Sequence, residues 1–286
     1  MAIDLHVHTA ASDGTDAPRD VVTLAKRLGL TAIAITDHDT VSGVKEACLA
    51  GESLGLEVVP GIELSAEFVG QEVHILGYFL DIHSPSLQAC MAQLQADRVA
   101  RNRRMIAAME QDGLPISFSA LQARYPEDTV LGRAHIGSWL IEQGLCADMK
   151  TAFARYLNRS SPYYVQRKYL TVSQAAAAIR QAGGLPVLAH PMLYDYDMST
   201  MRTLFSLITE EQFVGAEVYY ATYSTEEMQT SAKLTQEFHL IATGGSDYHG
   251  SRKPDIQLGI GKGNLSVPVS VLESLKRQKE HEKMRL

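Results

Sequence analysis

Short apolar runs recur along the chain, and most neighbours are separated by about the length of one helix. Ala32-Ile33-Ala34-Ile35, Leu56-Glu57-Val58-Val59, Val73-His74-Ile75-Leu76, Leu185-Pro186-Val187-Leu188, Ala216-Glu217-Val218-Tyr219 and Leu240-Ile241-Ala242-Thr243 each read as a buried strand. Helical patterns lie between them: Asp20 to Leu28 stopping at Gly29, Ser42 to Leu54 stopping at Gly55, and Val172 to Ala182 stopping at Gly183. In each, glycine suits the left-handed residue that closes a helix. The rhythm predicts parallel β/α units in one sheet or barrel. From about Pro85 to Tyr169 the strand signal stops, and Leu87 to Asp112, Ala134 to Gln143 and Met149 to Leu157 carry helical periodicity. The expected organisation is therefore an α/β barrel formed by residues 1–84 and 170–286, with a helical insertion over residues 85–169.

Composition narrows the class. The 286 residues suffice for a substantial core, and no apolar run approaches the roughly 18 residues that suggest a membrane span. The segment Met1-Ala2-Ile3-Asp4-Leu5-His6 lacks the basic and apolar regions of a secretory leader, so a cytoplasmic location is expected. Cys48, Cys90 and Cys146 are scattered without CxxC spacing, against a disulfide framework or a thiolate zinc site. A formal net charge of −7 disfavours long nucleic acid as the main partner. Positive charge gathers locally in the insertion, at Arg98, Arg101, Arg103, Arg104, Arg133, Arg155, Arg159, Arg167 and Lys168. Nothing in the sequence points to a protein partner or a membrane.

Candidate chemistry sits at or just after the strands. His6-Val7-His8 is followed by Asp13, and in an extended strand residues i and i+2 share a face, so both imidazoles can reach one ion. Thr36-Asp37-His38-Asp39 ends the second run, Glu63 follows Pro60-Gly61, and His74 lies within a strand pattern. His190 closes the Leu185 run, and Asp247 with His249 follows the Leu240 run. Barrel and open α/β folds place their sites at this end of the strands. An ordinary hydrogen-bonded or capping role would explain any single group, but not the recurrence. Mixed imidazole and carboxylate ligands suit Mn²⁺, Fe²⁺ or Zn²⁺ better than Mg²⁺. Nine candidates, His6, His8, Asp13, His38, Glu63, His74, His190, Asp247 and His249, are too many for one ion. Two or three divalent ions are expected, manganese first, with iron or zinc as alternatives.

At these residues the chain resembles the PHP family, named for polymerase and histidinol phosphatase domains and related to the amidohydrolases. The motifs are His6-Val7-His8 with Ser12-Asp13-Gly14, Thr36-Asp37-His38-Asp39-Thr40, Gly61-Ile62-Glu63, Val73-His74-Ile75-Leu76-Gly77-Tyr78, Ala189-His190-Pro191 and Ser246-Asp247-Tyr248-His249. The resemblance implies a distorted (β/α)7 barrel with a trinuclear centre and an inserted helical subdomain acting as a substrate cap. It implies that His6, His8, Glu63 and Asp247 hold one ion, that Glu63, His74 and His190 hold a second, and that Asp13, His38 and His249 hold a third. Leu131-Gly132-Arg133-Ala134-His135 and the stretch from Tyr156-Leu157 to Tyr163-Tyr164-Val165 look like the subgroup containing 3′,5′-nucleotide bisphosphate phosphatases and the 5′-end exoribonuclease RNase AM.

The expected reaction is hydrolysis of a phosphate ester, in which a water bridging two cations becomes a hydroxide aimed in line at phosphorus. Glu63 is expected to bridge the ions, and Asp247 to be a ligand that also accepts the nucleophile's proton. Asp37 and Asp39 either support the ligand histidines or cap the next helix. A bisphosphate needs a second anion pocket, for which Arg101 and Arg104 on one helix face, and Arg133 with His135 at a helix start, are the candidates. Arg98 and Arg103 read as a solvated helix face. Tyr219, Tyr220 and Tyr223 either stack on a base or pack in the barrel. The preferred substrate is a nucleoside 3′,5′-bisphosphate such as pAp, cleaved to AMP and phosphate. The alternatives are 5′-to-3′ trimming of short RNA, a histidinol-phosphate-type phosphatase, and a metal-binding module without catalysis.

Overall fold

The computed structural model describes residues 2–284; Met1 and residues 285–286, the outer ends of the expected barrel segments, lie outside the described residues. The chain divides into two compact units, Met1–Cys90 with Tyr169–Leu286, and Met91–Lys168. Among the described residues no helix is long and apolar enough to cross a membrane.

The strands of the first unit are β1 (Ala2–Val7), β2 (Ala32–Ile35), β3 (Glu57–Phe68), β4 (Gln71–Tyr78), β5 (Leu170–Thr171), β6 (Leu185–Leu188), β7 (Gly215–Tyr220), β8 (Ile241–Gly245) and β9 (Val267–Pro268). They form one sheet in the order β8-β7-β6-β4-β3-β2-β1-β9, with β5 beside β3. The sheet then curls back on itself. The His8 amide donates to the Tyr248 carbonyl and the Asp247 amide to the His6 carbonyl, both at 2.9 Å, so β1 meets the segment that leaves β8 and a distorted, nearly closed barrel results. Gly245 permits this closure, because a Cβ there would fall 2.4 Å from the His6 amide nitrogen.

Not every strand obeys the expected parallel rhythm. β4 runs antiparallel to both β3 and β6. The reason is the connection: Phe68 pairs with Gln71, and only Val69 and Gly70, at φ 46° and 72°, lie between. Two residues with positive φ make a tight hairpin, whereas a parallel crossover needs a dozen or more residues. The helices Pro18–Arg27, Val44–Leu54 and Val172–Gln181 form where the apolar spacing placed them, and Gly55 closes the second in the left-handed conformation at φ 63°. Ile3, Leu5, Ala34, Leu76, Tyr78, Val187 and Leu275 belong to the buried apolar core of this unit.

The second unit has its own core, with Met105, Ile106, Ile116, Leu121, Leu140 and Leu157 fully or almost fully buried. The helix Pro85–Gln111 leads into it, followed by Phe118–Gln122, Arg133–Glu142 and Met149–Ala152. The last was expected to run to Leu157 as one helix. Instead residues Phe153–Leu157 form a π turn, closed by the Asn158 amide donating to the Phe153 carbonyl at 2.8 Å.

Candidate metal centre

Eight of the nine expected ligands lie in or just beyond β1, β2, β3, β6 and β8. The ninth, His74, is an early residue of β4. Because β4 is antiparallel, its beginning lies beside the end of β6, where the Ala189 amide donates to the His74 carbonyl at 3.1 Å. The fold thus brings all nine to one end of the barrel. His6 and His8, two residues apart, face each other at 3.1 Å between their Nε2 atoms.

Glu63 lies at the centre of the group. Its Oε2 is 3.0 Å from His38 Nδ1, 3.1 Å from His8 Nε2 and 3.4 Å from His6 Nε2. Its Oε1 is 2.9 Å from His74 Nδ1 and 3.1 Å from His190 Nε2. Asp247 Oδ1 approaches His8 Nε2 and His249 Nδ1, each at 3.3 Å. Asp13 Oδ1 lies 3.3 Å from His249 Nε2 and 3.9 Å from His38 Nε2. Among the described residues four sets have potential ligand atoms that lie, within each set, no more than 4.8 Å apart: His8, Asp13, His38 and His249; His6, Glu63 and His190; His6, His8 and Asp247; and His38, Glu63 and His74.

The donor atoms fit cations. His8 Nδ1, Asp13 Oδ1, His38 Nδ1, Glu63 Oε2, His74 Nδ1 and His190 Nδ1 are buried without a hydrogen bond of acceptable geometry. Buried polar atoms are normally satisfied, and several lone pairs aimed at a shared point are costly unless a cation lies between them. Two of the candidate ligands, His190 at φ 27° and Asp247 at φ 55°, also hold unusual backbone conformations.

Electrostatics matches the geometry. Burial works against charged imidazoles, but the carboxylates outweigh it: His6 is raised well above the ordinary histidine range, chiefly by Glu217 and Glu63. His8 is pushed up to about 9 and His74 to about 10 in the same way. His249 moves down to about 4, because burial is joined by the charges of Lys253 and His8. Burial also opposes the charged forms of Asp13, Glu63 and Asp247, yet neighbouring imidazoles, and Lys253 beside Asp247, hold all three well below the carboxylate range. In the metal-free cluster, ionised carboxylates therefore hold His6, His8 and His74 in the protonated form, and divalent ions would replace those protons.

Residues 4–182 match the PHP domain. The chain belongs to the PHP family. A 5′-3′ exoribonuclease, Rnm, of Salmonella typhimurium is 33% identical over 90% of this chain and 87% of its own length. A 3′,5′-nucleoside bisphosphate phosphatase of Chromobacterium violaceum is 31% identical over 86% of this chain and 87% of its own. Among solved structures, a candidate metal-dependent phosphoesterase of Bifidobacterium adolescentis superposes with a TM-score of 0.86 at 31% identity, covering 96% of this chain and 94% of that one. An amidohydrolase of Chromobacterium violaceum, solved with bound sulfate and no metal, gives 0.84 at 30% identity over 91% and 90% of the two chains. The chain is a PHP-family phosphoester hydrolase, and its His, Asp and Glu clusters suit divalent metal ions.

A second layer of this PHP centre escaped the sequence reading. Glu217 on β7 is fully buried and takes His6 Nδ1 at 3.1 Å and the His190 amide at 2.9 Å, so one carboxylate turns His6 Nε2 toward the cluster and fixes the loop after β6. Asp4 accepts from the Ser246 amide at 2.8 Å and the Gly259 amide at 2.7 Å, and so anchors the segment leading to Asp247. Each is the lone acid of its strand, and that was the available signal. Asp37 accepts from the Thr9 amide at 2.8 Å and the Ser12 hydroxyl at 2.5 Å, and Asp39 from the Ser65 amide at 2.9 Å. They brace ligand-bearing loops, while the following helix begins at Gly43 without a side-chain cap.

The expected anion-binding residues of the insertion are dispersed in role. His135 is 1% exposed, and its Nδ1 accepts from the Gly132 amide at 2.9 Å to cap its own helix. Arg101 is buried, Arg104 is exposed, and the Arg133 guanidinium lies 5.8 Å from the Phe153 ring centre. Arg98, expected on a solvated face, is 8% exposed, because its long side chain folds into the unit beside Gly132. Arg103 does lie on the surface, over the Phe118 ring at 4.2 Å. Tyr220 and Tyr223 are packed in the barrel: the Tyr220 hydroxyl donates to Asp247 Oδ2 at 2.6 Å, and the Tyr223 hydroxyl accepts from the Met192 amide at 2.8 Å.

Proposed function

We propose that the protein is a phosphatase that removes the 3′-phosphate of nucleoside 3′,5′-bisphosphates, converting pAp to AMP and phosphate. The observation that carries the hydrolytic reading is Glu63, whose two carboxylate oxygens lie within 3.4 Å of five imidazoles, an arrangement suited to a carboxylate shared between ions. In this reading His6, His8, Glu63 and Asp247 hold one ion, Glu63, His74 and His190 a second, and Asp13, His38 and His249 a third, with manganese the preferred metal. The three unpaired cysteines support a cytoplasmic protein.

When bound, the ions acidify water and stabilise the charge that grows on the phosphoryl oxygens. Asp247 takes the proton of the attacking water on the oxygen that faces His8, while its other oxygen is held by Tyr220. Glu217 keeps His6 turned inward, and Asp4 holds the strand end that presents Asp247. The water oxygen bonds to phosphorus as the bond from phosphorus to the ribose 3′-oxygen breaks, and the departing oxygen takes up a proton from solvent to give the free 3′-hydroxyl. In this reading Arg101, Arg104, Arg133 and His135 are the candidates to bind a second phosphate.

The small substrate is favoured by the net charge of −7, since a protein that tracks many nucleotides must neutralise many phosphates. The exoribonuclease reading stays in competition because relatives of similar identity carry each name. A length series at two salt concentrations, with one metal throughout, separates them. We expect kcat/KM for the bisphosphate to exceed that for a five-nucleotide RNA, with no gain on lengthening. A specificity constant that climbs with RNA length and falls steeply with salt would establish the exonuclease instead.

A further inference from the structure

We propose that Lys253 is a further residue of the site, donating a hydrogen bond to an oxygen of the phosphoryl group that is cleaved. The proposal rests on the phosphoester-hydrolase reading but not on which nucleotide is the substrate.

Lys253 follows the short turn Gly250–Arg252 that leaves His249. That turn is tied down: the Ser251 amide donates to Thr15 Oγ1 at 2.9 Å, and Arg252 Nη1 donates to the Asp13 carbonyl at 2.7 Å. Tyr248, just before it, donates to Asp16 at 2.6 Å. The backbone of Lys253 is thus carried on the same loops that present Asp13, Asp247 and His249. Its Nζ donates to Asp247 Oδ2 at 2.6 Å, on the carboxylate oxygen turned away from the imidazoles. The lysine side chain is 41% exposed, against 9% for Asp247 and 5% for His249, so the ammonium lies at the lip of an otherwise buried cluster.

An ammonium has three N–H donors, and Asp247 uses one. The remaining two are available at the lip. A purely structural role would be to neutralise Asp247, but that carboxylate already receives the Tyr220 hydroxyl and faces three imidazoles. More decisively, a fixed positive charge beside a cation site repels the metal ions that the site must hold. Such a charge helps only when an anion arrives, and a phosphate ester is a dianion held by the same ions. A flexible four-carbon stem with a compact charged end suits a phosphoryl oxygen that changes position during the reaction.

The test compares wild type, Lys253→Met and Lys253→Arg, each loaded with manganese, by titration calorimetry with inorganic phosphate and by elemental analysis. For Lys253→Met we expect manganese binding equal to or tighter than wild type and phosphate affinity lower by about 10- to 100-fold, the loss typical of a charged hydrogen bond. Lys253→Arg should recover most of the phosphate affinity. Unchanged phosphate affinity in Lys253→Met would overturn the proposal. So would loss of manganese together with phosphate, which would make Lys253 a prop for Asp247. Phosphate binding needs no turnover, so a wild-type protein that hydrolyses no phosphate ester would sink the hydrolase reading while the calorimetry still decides the role of Lys253.

Discussion

Both units bury charged and polar groups, but in different company. In the barrel unit, nine ligand-type side chains crowd together and six of their donor atoms are buried without a hydrogen bond. In the insertion, two buried polar groups are spent on the unit's own backbone: His135 caps its helix, and Asn102 Nδ2 donates to the Leu131 carbonyl at 2.7 Å. The same residue type therefore means different things. A histidine with a backbone amide on its ring nitrogen is spent on folding, whereas one facing other histidines and carboxylates is waiting for a cation.

The largest test of that contrast is to delete a ligand. His8→Ala or Asp247→Ala should abolish turnover and lower metal content while the fold survives, because each removes a donor atom and little apolar packing. The loss should exceed the roughly 10- to 100-fold typical of residues that only orient ligands. Near wild-type rates with fewer bound ions would break the assignment.

A smaller effect should come from the supporting layer. Glu217→Gln keeps the shape but weakens the grip on His6 Nδ1, so metal affinity or rate should fall by about 10- to 100-fold. A titration with manganese, read beside the rate, checks it. A change within twofold would mean that strand packing alone orients His6.

The smallest effect is on stability in the metal-stripped protein. His8 and His74 have folded-state values of about 9 and about 10, above the unfolded value of 6.5. Their contribution is fully present below pH 6.5 and is lost as pH rises through the folded values. His249, at about 4, is neutral in both states above pH 6.5 and adds nothing there. Thermal melts should therefore show stability declining from pH 6.5 to 9, and added manganese should flatten the decline by replacing those protons. A metal-free protein as stable at pH 9 as at 6.5 would show that the imidazoles are not held protonated by the carboxylates.

Much of this site was legible in the chain because strand periodicity and strand ends are local properties. Apolar runs followed by His or Asp indicated where β2, β6 and β8 end, and the spacing of His6 and His8 put them on one face. Glycines at positions 29, 55 and 183 marked helix ends for an equally local reason: each holds a positive φ, between 63° and 77°. Glu217 and Asp4 were present in plain view as the lone acids of their strands, yet their meaning depends on which strands become neighbours.

Most helices and strands, and the nine ligand candidates, could be read from the chain alone, since periodicity and ligand chemistry are written residue by residue. The folded barrel adds what no local pattern holds: β4 lies beside β6, so that His74 reaches the same end as its neighbours, and Glu217 serves both His6 and His190. These outcomes depend on contacts between residues that are distant in the chain, such as the 211 positions separating His6 from Glu217. Pair contacts of that kind follow from how the barrel closes, and closure is a property of the whole sheet.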